Sequence, residues 1–124
     1  MIGYVTLGTN NLERAAAYYD ALLGELDAAR IMAGDSYVVW ATGPRRPALM
    51  VTRPADGKEA SVGNGIMVAL AADSDDRVDA LHARAIELGS GDEGVPGPRG
   101  DNFYAAYFRD LDGNKLCAFH MDAL

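Results

Sequence analysis

Apolar positions along this chain run first at strand spacing, then at helix spacing, then at strand spacing again, and the whole succession occurs twice. Residues 2–8 form a short, mostly apolar run with Val5, Thr6 and Leu7, which has the length and composition of a strand. Asn10 and Asn11 then offer a helix N-cap, Glu13 sits in the first turn, and Leu12, Ala15, Ala16, Tyr19, Leu22 and Leu23 follow at helical spacing. Gly24 is expected to end that helix. Residues 26–51 hold three β-rich runs, separated by Gly34-Asp35 and by Gly43-Pro44-Arg45-Arg46-Pro47, both turn compositions. Residues 53–64 are polar, with Pro54, Asp56-Gly57 and Gly63-Asn64, and are expected to be a linker.

The same order then returns. Residues 65–72 (Ile66, Val68, Leu70) are expected to be a strand, Ser74 caps a second helix with an apolar stripe of Val78, Leu81, Ala85 and Leu88, and Gly89 is its stop. Residues 90–94 are short and strand-like, Pro96-Gly97-Pro98 is expected to be a loop, and residues 103–109 and 116–120 are strands. Between those last two, Asp110-Leu111-Asp112-Gly113-Asn114 is a turn, because Gly and Asn tolerate positive φ. A shift of 63 residues (67 − 4) lays Tyr4-Val5-Thr6-Leu7 on Met67-Val68-Ala69-Leu70, Asn11 on Ser74 and Arg14 on Arg77. The chain therefore reads as an α+β fold made from two β-α-β-β-β modules, about residues 1–58 and 64–124, sharing one core as a single domain over residues 1–124.

Composition narrows the function classes. With 18 acidic and 11 basic residues the net charge is −7, and only Arg45-Arg46 are adjacent cations. Nucleic acid and anionic membrane surfaces are therefore not expected as partners. No apolar run approaches the ~20 residues that span a bilayer, and Met1-Ile2-Gly3 lacks the basic start of a secretory signal. The one cysteine, Cys117, forms no internal disulfide framework. A cytoplasmic protein is the expectation.

Three segments together carry a family resemblance: Gly3-Tyr4-Val5-Thr6-Leu7 with Asn11-Leu12-Glu13-Arg14-Ala15 and Tyr18-Tyr19; Gly65-Ile66-Met67-Val68-Ala69; and Phe108-Arg109-Asp110-Leu111-Asp112-Gly113-Asn114-Lys115-Leu116. The chain resembles the vicinal oxygen chelate superfamily, which holds glyoxalase I, bleomycin-resistance proteins, extradiol dioxygenases and fosfomycin-resistance enzymes. The resemblance implies a cupped, eight-stranded mixed sheet with the two helices on its outer face, a ligand in the cup and a tendency to pair as a homodimer. In the superfamily's enzymes it also implies a divalent metal, held by a His opening the first strand, a His opening its repeat and a Glu following the Asp-Gly-Asn turn. Here those positions are Tyr4, Met67 and Cys117. A hard divalent ion wants imidazole nitrogen or carboxylate oxygen, so no metal cofactor is expected.

Strand alternation supplies an expected lining. With Val5 and Leu7 toward the helices, Tyr4, Thr6 and Gly8 face the other way, as do Met67, Ala69 and Ala71, and Cys117 and Phe119 from the last strand. By resemblance to the fosfomycin-resistance pattern, the Tyr three residues before the Asp of the turn lines the site, and here that is Tyr107. Phe103 shares its face. Trp40 is an aromatic candidate for the wall, with core packing as its other reading. Arg99, on the loop before the Tyr107 strand, is placed to clamp a carboxylate or phosphate, or else to be a solvated loop charge. Cys117 has no base on its face and reads as a small apolar residue, while His82 and His120 read as structural. The expected function is metal-independent binding or sequestration of a small amphipathic ligand. The alternatives are a lyase or isomerase with an atypical metal site, one using Tyr107 and Tyr4 as acid–base groups, and a purely structural or interaction module.

Overall fold

In the computed structural model, which describes residues 1–124, local signals in the chain account for most of the elements. Strand β1 (Tyr4–Gly8) leads into helix α1 (Leu12–Gly24), whose N-cap Asn11 accepts a hydrogen bond from the Arg14 N–H at 3.0 Å through Oδ1. Strands β2 (Ala29–Ala33), β3 (Tyr37–Ala41) and β4 (Ala48–Thr52) complete the first module. In the second, β5 (Val68–Ala71) precedes α2 (Asp75–Glu87), capped by Ser74 Oγ on the Arg77 N–H, and β6 (Gly91–Pro98), β7 (Tyr104–Arg109) and β8 (Lys115–His120) follow.

The eight strands form two four-stranded mixed sheets, ordered β1-β4-β3-β2 and β5-β8-β7-β6. Each sheet pairs its first and last strands in parallel and its other neighbours antiparallel, so the two modules share one topology. The repeat is exact in offset at its start. Val5 and Val68 are 63 apart, as are the caps Asn11 and Ser74. By the last strands, Leu49 opposite Val5 and Leu116 opposite Val68 are 67 apart (116 − 49), and the longer β6 lies in that interval. The chain divides into two compact units, Met1–Gly63 and Asn64–Leu124. The polar linker goes with the first unit because Asn10 pins it: Asn10 Nδ2 donates to the Ala60 carbonyl at 3.1 Å and Oδ1 accepts from the Ala60 N–H at 2.6 Å.

Each unit packs its helix on one face of its sheet. In the first, the Tyr19 ring of α1 lies 5.6 Å from the Trp40 ring, and Leu22, Val51 and Trp40 are almost fully buried. In the second, His82 of α2 meets Phe108 edge-on at 6.2 Å, and Leu81, Leu116 and Ala118 are buried. Burial of these apolar surfaces is the main stabilising term.

Several boundaries differ from expectation for local reasons. Gly24 is the last residue of α1 rather than its stop, and the left-handed reversal falls at Asp27, with φ 61°. Gly89, with φ 105°, does end α2. Its N–H donates to the Ile86 carbonyl and the Ser90 N–H to the Ala85 carbonyl, the pair of bonds of a Schellman cap. Strand β5 starts at Val68, because Gly65 turns the chain at φ 93° and leaves Ile66 and Met67 ahead of the ladder. Pro96-Gly97-Pro98 is not a loop but the end of β6. That strand is an edge with register shifts after Asp92 and Gly94, where prolines cost no ladder bond.

Candidate functional site

The hairpin of the second unit is held by its turn. Asp110 Oδ1 accepts from the N–H groups of Asp112 and Asn114, both at 2.9 Å, and Oδ2 accepts from Asn114 Nδ2 at 2.9 Å, while Gly113 takes φ 91°. This network fixes the β7–β8 register so that Tyr107 stands directly opposite Cys117. Phe108 faces α2, so Tyr107 and Cys117 lie on the opposite, helix-free face. Ala105 and Phe119 share that face, and Ala69 joins it from β5 through its pairing with Cys117.

On this face the rings and charges converge. Phe103 stacks on Phe119 at 5.7 Å, and together with Tyr107 and Met121 they surround Ala105 and Cys117. Arg99 Cζ lies 5.6 Å from the Tyr107 ring centre, and Lys115 Nζ lies 5.7 Å from it. Arg99 is held in place by the hairpin itself, its Nη2 donating to the Val95 carbonyl at 2.6 Å and its N–H to the Phe103 carbonyl at 2.7 Å. Two glycines of β6 make room for it. A Cβ on Gly94 would approach Tyr107 Cδ2 at 3.0 Å and Arg99 Nη2 at 3.4 Å, and a Cβ on Gly97 would approach Arg99 Nη1 at 3.0 Å. Cys117 is 1% exposed; burial pushes its thiol up, against downward pulls from hydrogen bonding with Tyr107 and from the charges of Arg99 and Lys115. It is a protonated, packed thiol at neutral pH rather than a nucleophile.

The remaining expected site residues lie as follows. Tyr4, at the start of β1, is 63% exposed on the helix-free side of the first sheet, and Met67 is exposed just before β5. Trp40 points to α1 instead: it is 1% exposed, its ring packs on Tyr19, and its Nε1–H donates to Asp20 Oδ1 at 2.8 Å. Its place is the helix–sheet core, where Asp20 also takes two bonds from Arg30, at 2.8 and 2.7 Å, which hold its carboxyl below the usual range. Arg99, Phe103, Tyr107 and Cys117 are brought together. Lys115 belongs with them and was missed, although it stands two residues before Cys117 and alternation puts it on the same face.

Neither histidine faces this site. His82 is buried against Phe108 with Nε2 3.0 Å from Asp92 Oδ1, and His120 at the end of β8 lies 2.9 Å from Asp75 Oδ1 and 3.4 Å from Asp122 Oδ1. Beside His120 is a pocket of about 310 Å³ whose lining includes Asp75, Asp122, Phe103 and Tyr104. Tyr104 donates to Asp79 Oδ1 at 2.6 Å, and that bond pushes its hydroxyl up to about 12. These acidic groups gather at the α2 side of the sheet, where Tyr104 and His120 stand with Phe108, and not on the Tyr107 face. The donor atoms offered by Tyr4, Met67 and Cys117, a phenol, a thioether and a buried neutral thiol, do not fit the divalent metal of the superfamily's enzymes, and no group of three or more His, Cys, Asp or Glu is arranged to hold an ion.

Comparison with known proteins gives the family. No curated protein matches the chain. Among solved structures, a glyoxalase/bleomycin resistance protein from Albidiferax ferrireducens is 40% identical with TM-score 0.90, over 97% of this chain and 98% of that one. A putative glyoxalase from Bacillus halodurans (23% identical, TM-score 0.79, 97% and 95% covered) and a lactoylglutathione lyase from Agrobacterium tumefaciens (22%, 0.72, 97% and 92%) share the fold. The family model for the Glyoxalase/Bleomycin resistance protein/Dioxygenase superfamily matches residues 1–118, and the chain belongs to that superfamily.

Proposed function

We propose that this chain is a metal-independent member of the superfamily that binds a small amphipathic molecule on the helix-free face around Tyr107, as a cytoplasmic homodimer. The observation that carries this reading is the donor set: where the resemblance places two His and a Glu, the chain has Tyr4, Met67 and a buried Cys117 thiol. The face offers instead what a binding protein uses. The Phe103–Phe119 stack supplies apolar area, and the Tyr107 hydroxyl and the neighbouring cations supply orientation.

The test is metal content together with ligand response. Protein purified without added metal is expected to hold no stoichiometric Mn, Fe, Ni or Zn and to melt at the same temperature with or without EDTA. A panel of small amphipathic molecules is expected to contain members that raise that temperature. About one metal per chain surviving dialysis, or a panel without a single stabilising compound, overturns the reading. The homodimer is tested by light scattering, where a mass near the 13.2 kDa of one chain at every dilution contradicts it.

A further inference from the structure

The cations on the Tyr107 face differ from the other cations of their unit. Between residues 64 and 124 there are five basic residues: Arg77, Arg84, Arg99, Arg109 and Lys115. Arg77 pairs with Asp73, Arg84 with Glu87, and Arg109 with Glu93. Arg99 and Lys115 have no carboxylate within ion-pair distance, in a chain with 18 acids to 11 bases. Glu93 feels the charge of Lys115, but its oxygen is committed to Arg109 at 2.6 Å.

Two like charges at one ring repel each other, and contact with a tyrosine face returns only part of that. Yet Arg99 is placed there by construction. Its guanidinium is anchored on the Val95 carbonyl and lies along a track that exists because positions 94 and 97 carry no side chain. The anchor uses Nη2, with a longer contact from Nη1 to the Pro98 carbonyl, and leaves Nε–H without a protein acceptor. Phe119 stands two residues along β8 from Cys117, the ladder partner of Tyr107, so the stacked rings lie roughly 7 Å from the charged end of the face. That spacing joins a site for an anion to a site for an aromatic ring.

We propose that the ligand is a small aromatic carboxylate, its carboxylate between Arg99 and Lys115 at Tyr107 and its ring against Phe103 and Phe119. This rests on the binding function proposed above and names its ligand class. A carboxylate accepts from the Arg99 Nε–H in a charge-assisted bond, and the Lys115 ammonium completes its neutralisation.

Calorimetric titration with phenylacetate, 2-phenylethanol and phenethylamine tests the charge with the ring held constant. Phenylacetate is expected to bind at least about tenfold more tightly than the alcohol, from two charge-assisted contacts, and the amine to bind most weakly. Its advantage over the alcohol is expected to shrink with added salt, and to be lost in Arg99→Gln and Lys115→Gln proteins whose melting shows them folded. Equal binding of acid and alcohol overturns the anion site and leaves small-molecule binding standing, as does tighter binding of the amine. Saturation by none of the three overturns the aromatic-acid assignment, and the broader ligand panel then decides the binding function separately.

Discussion

Alanine at Gly97 and alanine at Gly94 look alike on paper and are expected to act in opposite ways. Both glycines lie on edge strand β6, and neither adopts a positive φ, so the backbone accepts a side chain at each. At Gly97 the new methyl meets only Arg99 Nη1, at 3.0 Å, the far end of an exposed side chain that shifts at the small cost of its solvent-exposed bond to the Val95 carbonyl. The unfolded chain loses freedom, so Gly97→Ala is expected to hold or raise stability by about 0.4–1 kcal/mol. At Gly94 the methyl meets Tyr107 Cδ2 at 3.0 Å and Arg99 Nη2 at 3.4 Å. Tyr107 is the ladder partner of Gly94 and of Cys117, and its ring is half-buried, so it has no such escape. Gly94→Ala is expected to cost about 1–3 kcal/mol as overpacking. Urea unfolding of both variants with an unchanged m-value reads these differences. Because Gly97→Ala moves Arg99 without harming the fold, it is also expected to erase most of the preference for phenylacetate over 2-phenylethanol. Destabilisation of Gly97→Ala beyond about 1 kcal/mol refutes the reasoning, as does a stable variant that keeps the full preference.

Other consequences lie away from that face. Asp20→Ala leaves the buried Trp40 N–H without its acceptor and is expected to cost about 1–3 kcal/mol in chemical denaturation. Asp20→Asn keeps an acceptor and loses only the half-exposed pair with Arg30, at most about 1 kcal/mol, so equal costs contradict the assigned bond. Tyr104, raised to about 12 by Asp79, ionises in the unfolded chain near its ordinary 10.0. Its contribution is therefore present below pH 10 and lost between 10 and about 12, and the stability gap between the protein and Tyr104→Phe is expected to close over that window; a gap that is flat or widens contradicts the bond. Burial keeps Cys117 protonated, so the folded protein is expected to react with a thiol reagent only at its unfolding rate, and rapid labelling contradicts the packing.

Much of this was legible in residue pattern. The caps Asn11 and Ser74, the offset of 63 and the Asp110–Asn114 turn are local signals, and local hydrogen bonds realise each of them. Alternation then carried Tyr107 and Cys117 to one face, because a hairpin with a fixed turn has a fixed register. Trp40 shows what alternation lacks. It gives the period of a strand but not its phase, and on β3 the phase that turns Trp40 to α1 is matched by Asp20, twenty residues earlier, whose carboxylate receives the indole N–H. Strand β6 runs through Pro96-Gly97-Pro98 because it is an edge, which is a property of the sheet and not of the tripeptide. Lys115 carries no signal in the sequence, because its significance lies in having no carboxylate within ion-pair distance, which depends on Glu93 being committed to Arg109.

Metal-free ligand binding is the measurement that bears most directly on the account. Protein dialysed against EDTA and verified as metal-free by elemental analysis is titrated with phenylacetate, before and after adding Mn²⁺ or Zn²⁺ in slight excess. The account predicts saturable binding to metal-free protein with an affinity that either ion leaves unchanged. Binding that appears only after the ion is restored, with one ion taken up per chain, contradicts it.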